Sequence, residues 1–282
     1  MRKHPLTGKV FFITGASSGI GLATCLALAN LKVKIAFCAR RLSLLKKLEL
    51  IIREKQAETY LLNFCITDSK SGKKAIQNVI KKWGRIDFLI NNAGIINNKH
   101  FHSQSINDLK KVNHVNYIGP ATLIKHILPY MIKKKRGHIL NVSSIAGVLG
   151  FPFIASYCAS KFSLFGLTES LRREYYGHGI TFTTFCPGTV NTPMIAKSLK
   201  NNNFKKTTNA MSAEKIADHI INCCVNLKPE MIVGEIPSFF AKISKFFPVL
   251  SDFIFYHLYR MVHPVAKREY LERKNWRKSY TN

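Results

Sequence analysis

A chain of 282 residues with 46% hydrophobic content is long enough for one large core or two small ones. Lys and Arg number 43 against 15 Asp and Glu, a formal charge of +28; that balance attracts nucleic acid, anionic lipid or acidic partners, although a compositional bias of the source would look the same. No zinc finger, RNP-like aromatic pattern or long basic arm accompanies it, which argues against nucleic acid, and no apolar run reaches the ~18 residues of a membrane-spanning helix.

Lys9–Thr14 is a short apolar run, as expected of a buried parallel strand. Thr14-Gly15-Ala16-Ser17-Ser18-Gly19-Ile20-Gly21 follows, then a helical pattern over Leu22–Asn30. A glycine-rich turn between strand and helix lets backbone N–H groups face a pyrophosphate at the helix N-terminus. Lys32–Cys38 reads as the second strand and leads into Ala39-Arg40-Arg41. An acid near this point would grip a ribose 2′-hydroxyl, whereas arginine suits a 2′-phosphate. Leu42–Lys55 is a helix, Thr59–Phe64 a strand, and Ser69–Trp83 a helix capped at Asp68 or Ser69. Ile86–Ile90 is a fourth strand, ending in Asn91-Asn92-Ala93-Gly94, small residues and amides that suit close approach to a ligand. Asn107–Lys134 reads as one long helix containing Asn116.

His138–Val142 is the fifth strand, followed by Ser143-Ser144, and Ser156–Tyr176 is a helix. Ile180–Cys186 is the sixth strand, ending in Pro187-Gly188-Thr189-Val190-Asn191-Thr192-Pro193. Lys197–Asn209 is polar and reads as a mobile part of a substrate loop over about residues 189–212. A helix over Met211–Leu227 and a strand over Met231–Gly234 complete an α/β chain. The seven cysteines fit no C-x-x-C or zinc spacing and no apolar leader precedes Val10, so reduced thiols in a cytoplasmic setting are expected. The ten histidines show no ligand spacing; they read as surface residues, and no metal site is expected.

Chemistry centres on Tyr157-Cys158-Ala159-Ser160-Lys161. A Tyr and a Lys four apart lie on one helix face. A free phenol has a pKa of about 10 and is a poor base at neutral pH. An ammonium roughly 4 Å away at an effective dielectric of about 20 would favour the phenolate by about 4 kcal/mol, lowering that pKa by up to about three units. The phenol would then serve as a general acid or base near pH 7, with the Ser144 hydroxyl placed to steady a substrate oxygen. Cys158 reads as a small packing residue.

Taken in order, Thr14-Gly15-x-x-x-Gly19-Ile20-Gly21, Asn91-Asn92-Ala93-Gly94, Asn116, Ser144, Tyr157-x-x-x-Lys161 and Pro187-Gly188 resemble the short-chain dehydrogenase/reductase family, closely from about Gly8 to Pro193 and loosely beyond. The resemblance implies a Rossmann-like, doubly wound parallel sheet of about seven strands in three α/β/α layers, binding NAD or NADP at the switch point. It implies Tyr157 as general acid or base, Lys161 on the nicotinamide ribose, Ser144 on the substrate oxygen, and Asn116 holding a water in a proton relay. Gly15, Ser17, Ser18, Gly19 and Ile20 would line the phosphates, Asn92, Ala93 and Gly94 the adenosine side. Pro187, Gly188 and Val190 would also contact the cofactor, and Thr192 would reach the nicotinamide carboxamide or the phosphates. Cys65 stands where family members usually carry Asp for the adenine amino group; the Ile66 backbone N–H could still serve adenine.

The expected function is NADPH-dependent reduction of a carbonyl, or oxidation of the matching alcohol, on a lipid-like substrate such as a long-chain ketone, a 3-oxoacyl group or a steroid. A cofactor-binding regulator or scaffold without turnover and a nucleic-acid binder are the alternatives. Partners are expected to be the small-molecule substrate and further copies of the chain in a homodimer or homotetramer. Residues 1–236 read as the catalytic domain and 237–282 as a basic, aromatic extension. Within it Pro237–Val262 has apolar residues at steps of three and four, with a break near Pro248. That segment could pack on the core or an interface, wall the substrate cleft, or lie on the cytoplasmic face of a membrane.

Overall fold

The computed structural model describes residues 4–55, 57–198, 210–234, 241 and 246–262. The chain divides into two compact units, Met1–Ile236 and Pro237–Asn282.

The first unit is built on a parallel sheet of seven strands: β1 (Val10–Thr14), β2 (Lys34–Ala39), β3 (Glu58–Asn63), β4 (Phe88–Asn91), β5 (Gly137–Val142), β6 (Ile180–Pro187) and β7 (Glu230–Val233). Their spatial order is β3-β2-β1-β4-β5-β6-β7. All five residues of β1 are buried because helices cover both faces. The pleat sends Phe11 and Ile13 into one core cluster and Val10 and Phe12 into the other. Helices α1 (Gly19–Ala29), α2 (Leu42–Glu54) and α8 (Ala213–Asn226) close the first cluster through Leu28, Leu48 and Ile220. Helices α3 (Ser69–Trp83) and α5 (Gly119–Lys134) close the second through Ile76, Val79, Leu123 and Ile127. The sheet is thus the middle of three layers, and burial of its large side chains contributes about 1.5–3 kcal/mol each. Chain order reverses between β1 and β4, which opens a crevice at the carboxyl ends of these strands.

Local signals set several boundaries. Asp68 caps α3 by accepting from Ser71 N at 3.0 Å, and Gly84 ends it at φ 75°. The second strand begins at Lys34, two residues later than expected, because Lys32 turns the chain at φ 52°. The first helix begins at Gly19, earlier than its apolar pattern suggested; glycines contribute nothing to such a pattern. The long helix expected over Asn107–Lys134 is two helices, α4 (Ile106–Asn113) and α5, joined by a π-helical turn over His114–Ile118. Pro120 supplies the reason: it has no N–H for the Asn116 carbonyl, and Gly119 N instead donates to His114 O.

His138 is not a surface residue. It is 2% exposed in β5, with Nδ1 2.8 Å from Thr181 Oγ1 and Nε2 3.1 Å from Thr183 Oγ1. Burial pulls its pKa down to about 4. Of the expected polar segment, Lys197 and Ser198 end helix α7 (Pro193–Ser198), and residues 199–209 lie outside the described residues. In the second unit α9 runs from Pro248 to Val262. Proline is tolerated there because the first helical N–H needs no partner. Phe246, Phe247, Val249, Leu250 and Phe253 are between 57% and 82% exposed. The earlier part of the expected amphipathic segment, with Phe239, Phe240, Lys242, Ile243 and Lys245, lies outside the described residues.

Candidate active site

The loops after β1, β2, β4, β5 and β6 bring the sequence candidates to one end of the sheet. At β1, Gly15 and Gly19 take φ of 70° and 57°. A Cβ on Gly15 would fall 2.8 Å from Ala93 Cα, and one on Gly19 would fall 3.0 Å from Thr192 Cγ2. Only glycine allows these approaches, which set Ala93 and Thr192 against the glycine turn after β1. Ser18 precedes α1 in extended backbone without a side-chain cap, and no acid lies in the first helical turn. The N–H groups of that turn therefore suit an anion.

After β2, Arg41 reaches back to the same turn. Its Nε donates to Ser17 Oγ at 3.2 Å, and its NH2 nitrogen donates to Ser17 Oγ and Ser18 Oγ, both at 2.8 Å. Arg40 is exposed beside it, its carbonyl and that of Ala39 held by Asn63 Nδ2 at 3.1 and 3.0 Å. Cys65 Sγ lies 3.1 Å from Thr67 Oγ1, so the residue that departs from the family pattern is engaged within its own turn. Ile66 is buried against the turn at Gly119.

After β4, Asn92 Nδ2 donates to Thr14 O at 2.9 Å and to Gly15 O at 3.3 Å. Thr14 Oγ1 accepts from both Asn92 N and Ala93 N at 3.0 Å. Asn116, fully buried in the π-helical turn, accepts from Ile95 N at 2.8 Å and donates to Ile95 O at 2.9 Å. Gly94 follows this turn closely: a Cβ there would be 3.4 Å from Asn116 Oδ1 and 3.6 Å from Lys161 Nζ.

Ser144, Tyr157 and Lys161 meet where β5 ends and α6 (Ala155–Glu174) begins. Ser144 Oγ accepts from Ala146 N at 3.1 Å and reaches Pro187 O at 3.5 Å. Burial pushes the Tyr157 phenol up to about 12, while its hydrogen bond with Ser144 acts in the opposite direction. Lys161, 3% exposed, donates from Nζ to Val142 O at 2.8 Å and lies 5.7 Å from the centre of the Tyr157 ring. Burial pulls its ammonium down to about 8. The expected lowering of the phenol is therefore not what the protein alone produces. The ammonium is spent on a carbonyl, and two buried groups each move toward their neutral forms.

After β6, Pro187 pairs with Val233, and Gly188 N donates to Val233 O at 2.6 Å. Val190 is buried and bridged to Met211, and Thr192 is half-buried above α1. The sequence candidates thus lie on the segments that follow the carboxyl ends of the strands. Sequence reading quoted Thr14 in the glycine motif without giving it a role, and passed over Asn63. The signals for Thr14 were its place at the head of that motif and a hydroxyl ending an otherwise apolar strand; Asn63 carried none.

The match to known proteins agrees with this geometry. The family model "short chain dehydrogenase" covers residues 9–203. "Dehydrogenase/reductase SDR family member 7" of Homo sapiens is 36% identical over 199 residues, 69% of this chain and 59% of that protein. A Thermotoga maritima protein named 3-oxoacyl-acyl-carrier-protein reductase FabG is 36% identical over 197 residues, 68% of this chain and 78% of that one. The crystal structure of levodione reductase superimposes with a TM-score of 0.76 at 24% identity, over 81% of this chain and 97% of that chain, and speaks for the fold. The chain belongs to the short-chain dehydrogenase family, whose members are oxidoreductases using nicotinamide cofactors.

Proposed function

We propose that the protein is an NADP(H)-dependent oxidoreductase that reduces a carbonyl or oxidises the corresponding alcohol, with Tyr157 moving the proton. The observation that carries this reading is the convergence of Ser144, Tyr157 and Lys161 beside the phosphate turn of Gly15 and Gly19. The glycine cradle, the uncapped start of α1 and the arginine above it fit a phosphorylated dinucleotide, and bound nicotinamide supplies or takes the hydride. Ser144 orients the substrate oxygen against the Tyr157 hydroxyl. Tyr157 gives that oxygen its proton in reduction and takes one back in oxidation. Lys161 stabilises the phenolate once a proton has left, a role that a buried cation fills far better than an exposed one.

Preference for NADP is supported by Arg41, whose guanidinium and the Ser17 and Ser18 hydroxyls share one spot past β2. A 2′-phosphate there would take over the hydroxyls as ligands and face a planar fork of donors. A lipid-like substrate is supported by the name of the bacterial relative, a 3-oxoacyl reductase, and by the exposed apolar side chains before and along α9. Those side chains, with a formal charge of +28, also support peripheral contact with an anionic membrane at the cytoplasmic face. No helix among the described residues is long and apolar enough to cross one. A groove lined by Ile124, Leu128, Pro129, Ile132 and Leu171 between α5 and α6 supports assembly with a second copy.

Tyr157→Phe keeps the ring and removes the proton. Reduction of a panel of ketones and 3-oxoacyl thioesters should fall by about 10²–10⁴-fold, with NADPH still bound by fluorescence titration. A Phe variant that turns over like wild type would remove Tyr157 from the chemistry. A wild type that binds NADPH yet turns over no carbonyl would leave a binding protein.

A further inference from the structure

Between Tyr157 and Lys161 lies a serine for which the chemistry above has no use. Ser160 is 1% exposed. Its hydroxyl donates to Tyr157 O at 2.7 Å and accepts from Asn116 Nδ2 at 2.9 Å. The remaining donor and acceptor of the Asn116 amide go to Ile95 O and Ile95 N, at 2.9 and 2.8 Å. A hydroxyl has one proton to give, so the direction is fixed: Asn116 gives to Ser160, and Ser160 gives to the Tyr157 carbonyl. That carbonyl is also the one to which the α-helical pattern assigns the Lys161 N–H. One hydroxyl therefore ties the turn carrying Tyr157 and Lys161 to the amide that grips the loop after β4. There is little room between the two: a Cβ on Gly94 in that loop would meet Asn116 Oδ1 at 3.4 Å and Lys161 Nζ at 3.6 Å.

We infer that Ser160 is a positioning residue that holds the Tyr157–Lys161 turn of α6 in register with the loop at Asn92–Ile95 through Asn116. It touches neither substrate nor cofactor, and its effect on turnover rests on the function proposed above. Removing the hydroxyl leaves one Asn116 N–H unpaired in a buried site. The amide can regain a partner only by turning, which releases Ile95 and lets the loop drift from the turn. A misplacement of this kind lowers the rate, and it does so more than it weakens the cofactor, which the glycine turn and Arg41 also hold.

The test uses the full-length protein with Ser160→Ala and, as the milder change, Ser160→Cys. Two readouts are taken: the pH profile of kcat beside KM for NADPH, and hydrogen exchange of the Ile95 amide without cofactor. In Ser160→Ala, kcat should fall by about 10- to 100-fold with a displaced pH limb. KM for NADPH should change less than kcat, and Ile95 should exchange faster than in wild type. Ser160→Cys should lie between the two, and it carries the same readouts if the Ala variant does not fold. A variant that only melts earlier, with the kcat profile and Ile95 exchange of wild type, makes Ser160 a packing residue and overturns the inference. If wild type reduces no carbonyl, the functional reading fails separately, and Ile95 exchange alone decides the tie: faster in the variant upholds it, unchanged overturns it.

Discussion

Lowering the pH on wild type and on His138→Gln isolates the contribution of one buried ring. His138 sits inside β5 between the Thr181 and Thr183 hydroxyls, and burial holds its pKa near 4 against an ordinary value of 6.5. Between those values the unfolded chain binds a proton that the native state refuses. Stability from this site is therefore complete above about pH 6.5 and is lost as pH falls toward 4. The whole gap corresponds to about 3 kcal/mol, of which about 2 kcal/mol is gone by pH 5. For a chain of this size that is roughly 4–8 °C of Tm. Thermal and urea unfolding of both proteins from pH 7.5 to 4.5 gives the result as a difference of slopes, whatever the absolute stability of the variant. Wild type should lose about 2 kcal/mol more than His138→Gln over the span down to pH 5. Parallel curves would show that the ring is hydrated or charged in the native state, and the reasoning from burial would be wrong.

Three further outcomes are expected. In Arg41→Asp, the ratio of kcat/KM for NADPH over NADH should fall by about 10- to 100-fold, since charge-assisted bonds contribute about 1.5–3 kcal/mol; equal use of the two cofactors by wild type would refute the arginine's role. Asp87→Ala should lose about 3 kcal/mol in urea unfolding, because this buried carboxylate accepts from Val10 N and Arg85 Nε, both at 2.9 Å; a loss below about 1 kcal/mol would refute that. Wild type should float with anionic vesicles at low salt and Phe246→Ser/Phe253→Ser should not; wild type that stays in the soluble fraction at every salt concentration refutes the membrane reading.

The sheet was legible because parallel strands buried on both faces are uniformly apolar, as in Val10–Thr14, and because glycines and arginines punctuate their ends. The residues at the crevice were legible by type and spacing, since Tyr157 and Lys161 stand on one helix face. Direction was harder to read. Spacing placed the Lys161 ammonium near the phenol, but no pattern says that Nζ turns to the Val142 carbonyl. The π-helical turn was hidden because helical periodicity runs through it, and its cause, a proline four residues after Asn116, looks like an ordinary first-turn proline. Thr14, Asn63, Ser160 and His138 escaped for one reason. A polar residue gains meaning from its partner, and each of these has a partner far away in sequence: Asn92, Ala39, Asn116 and Thr181.

Strand order bears on how this chain comes to be folded. β1 is the third strand across the sheet, and its second neighbour is β4, with Phe11 opposite Phe88. Val10 also depends on Asp87, 77 residues away. A nascent chain can lay β1 against β2 early, but it then carries an open edge of buried-type side chains until the fourth strand leaves the ribosome. Helical crossovers separate all these pairings, so loop closure must precede the contacts that reward it, which makes a parallel sheet slow to form. The interval in which β1 stands half-paired is when the protein is most exposed to aggregation.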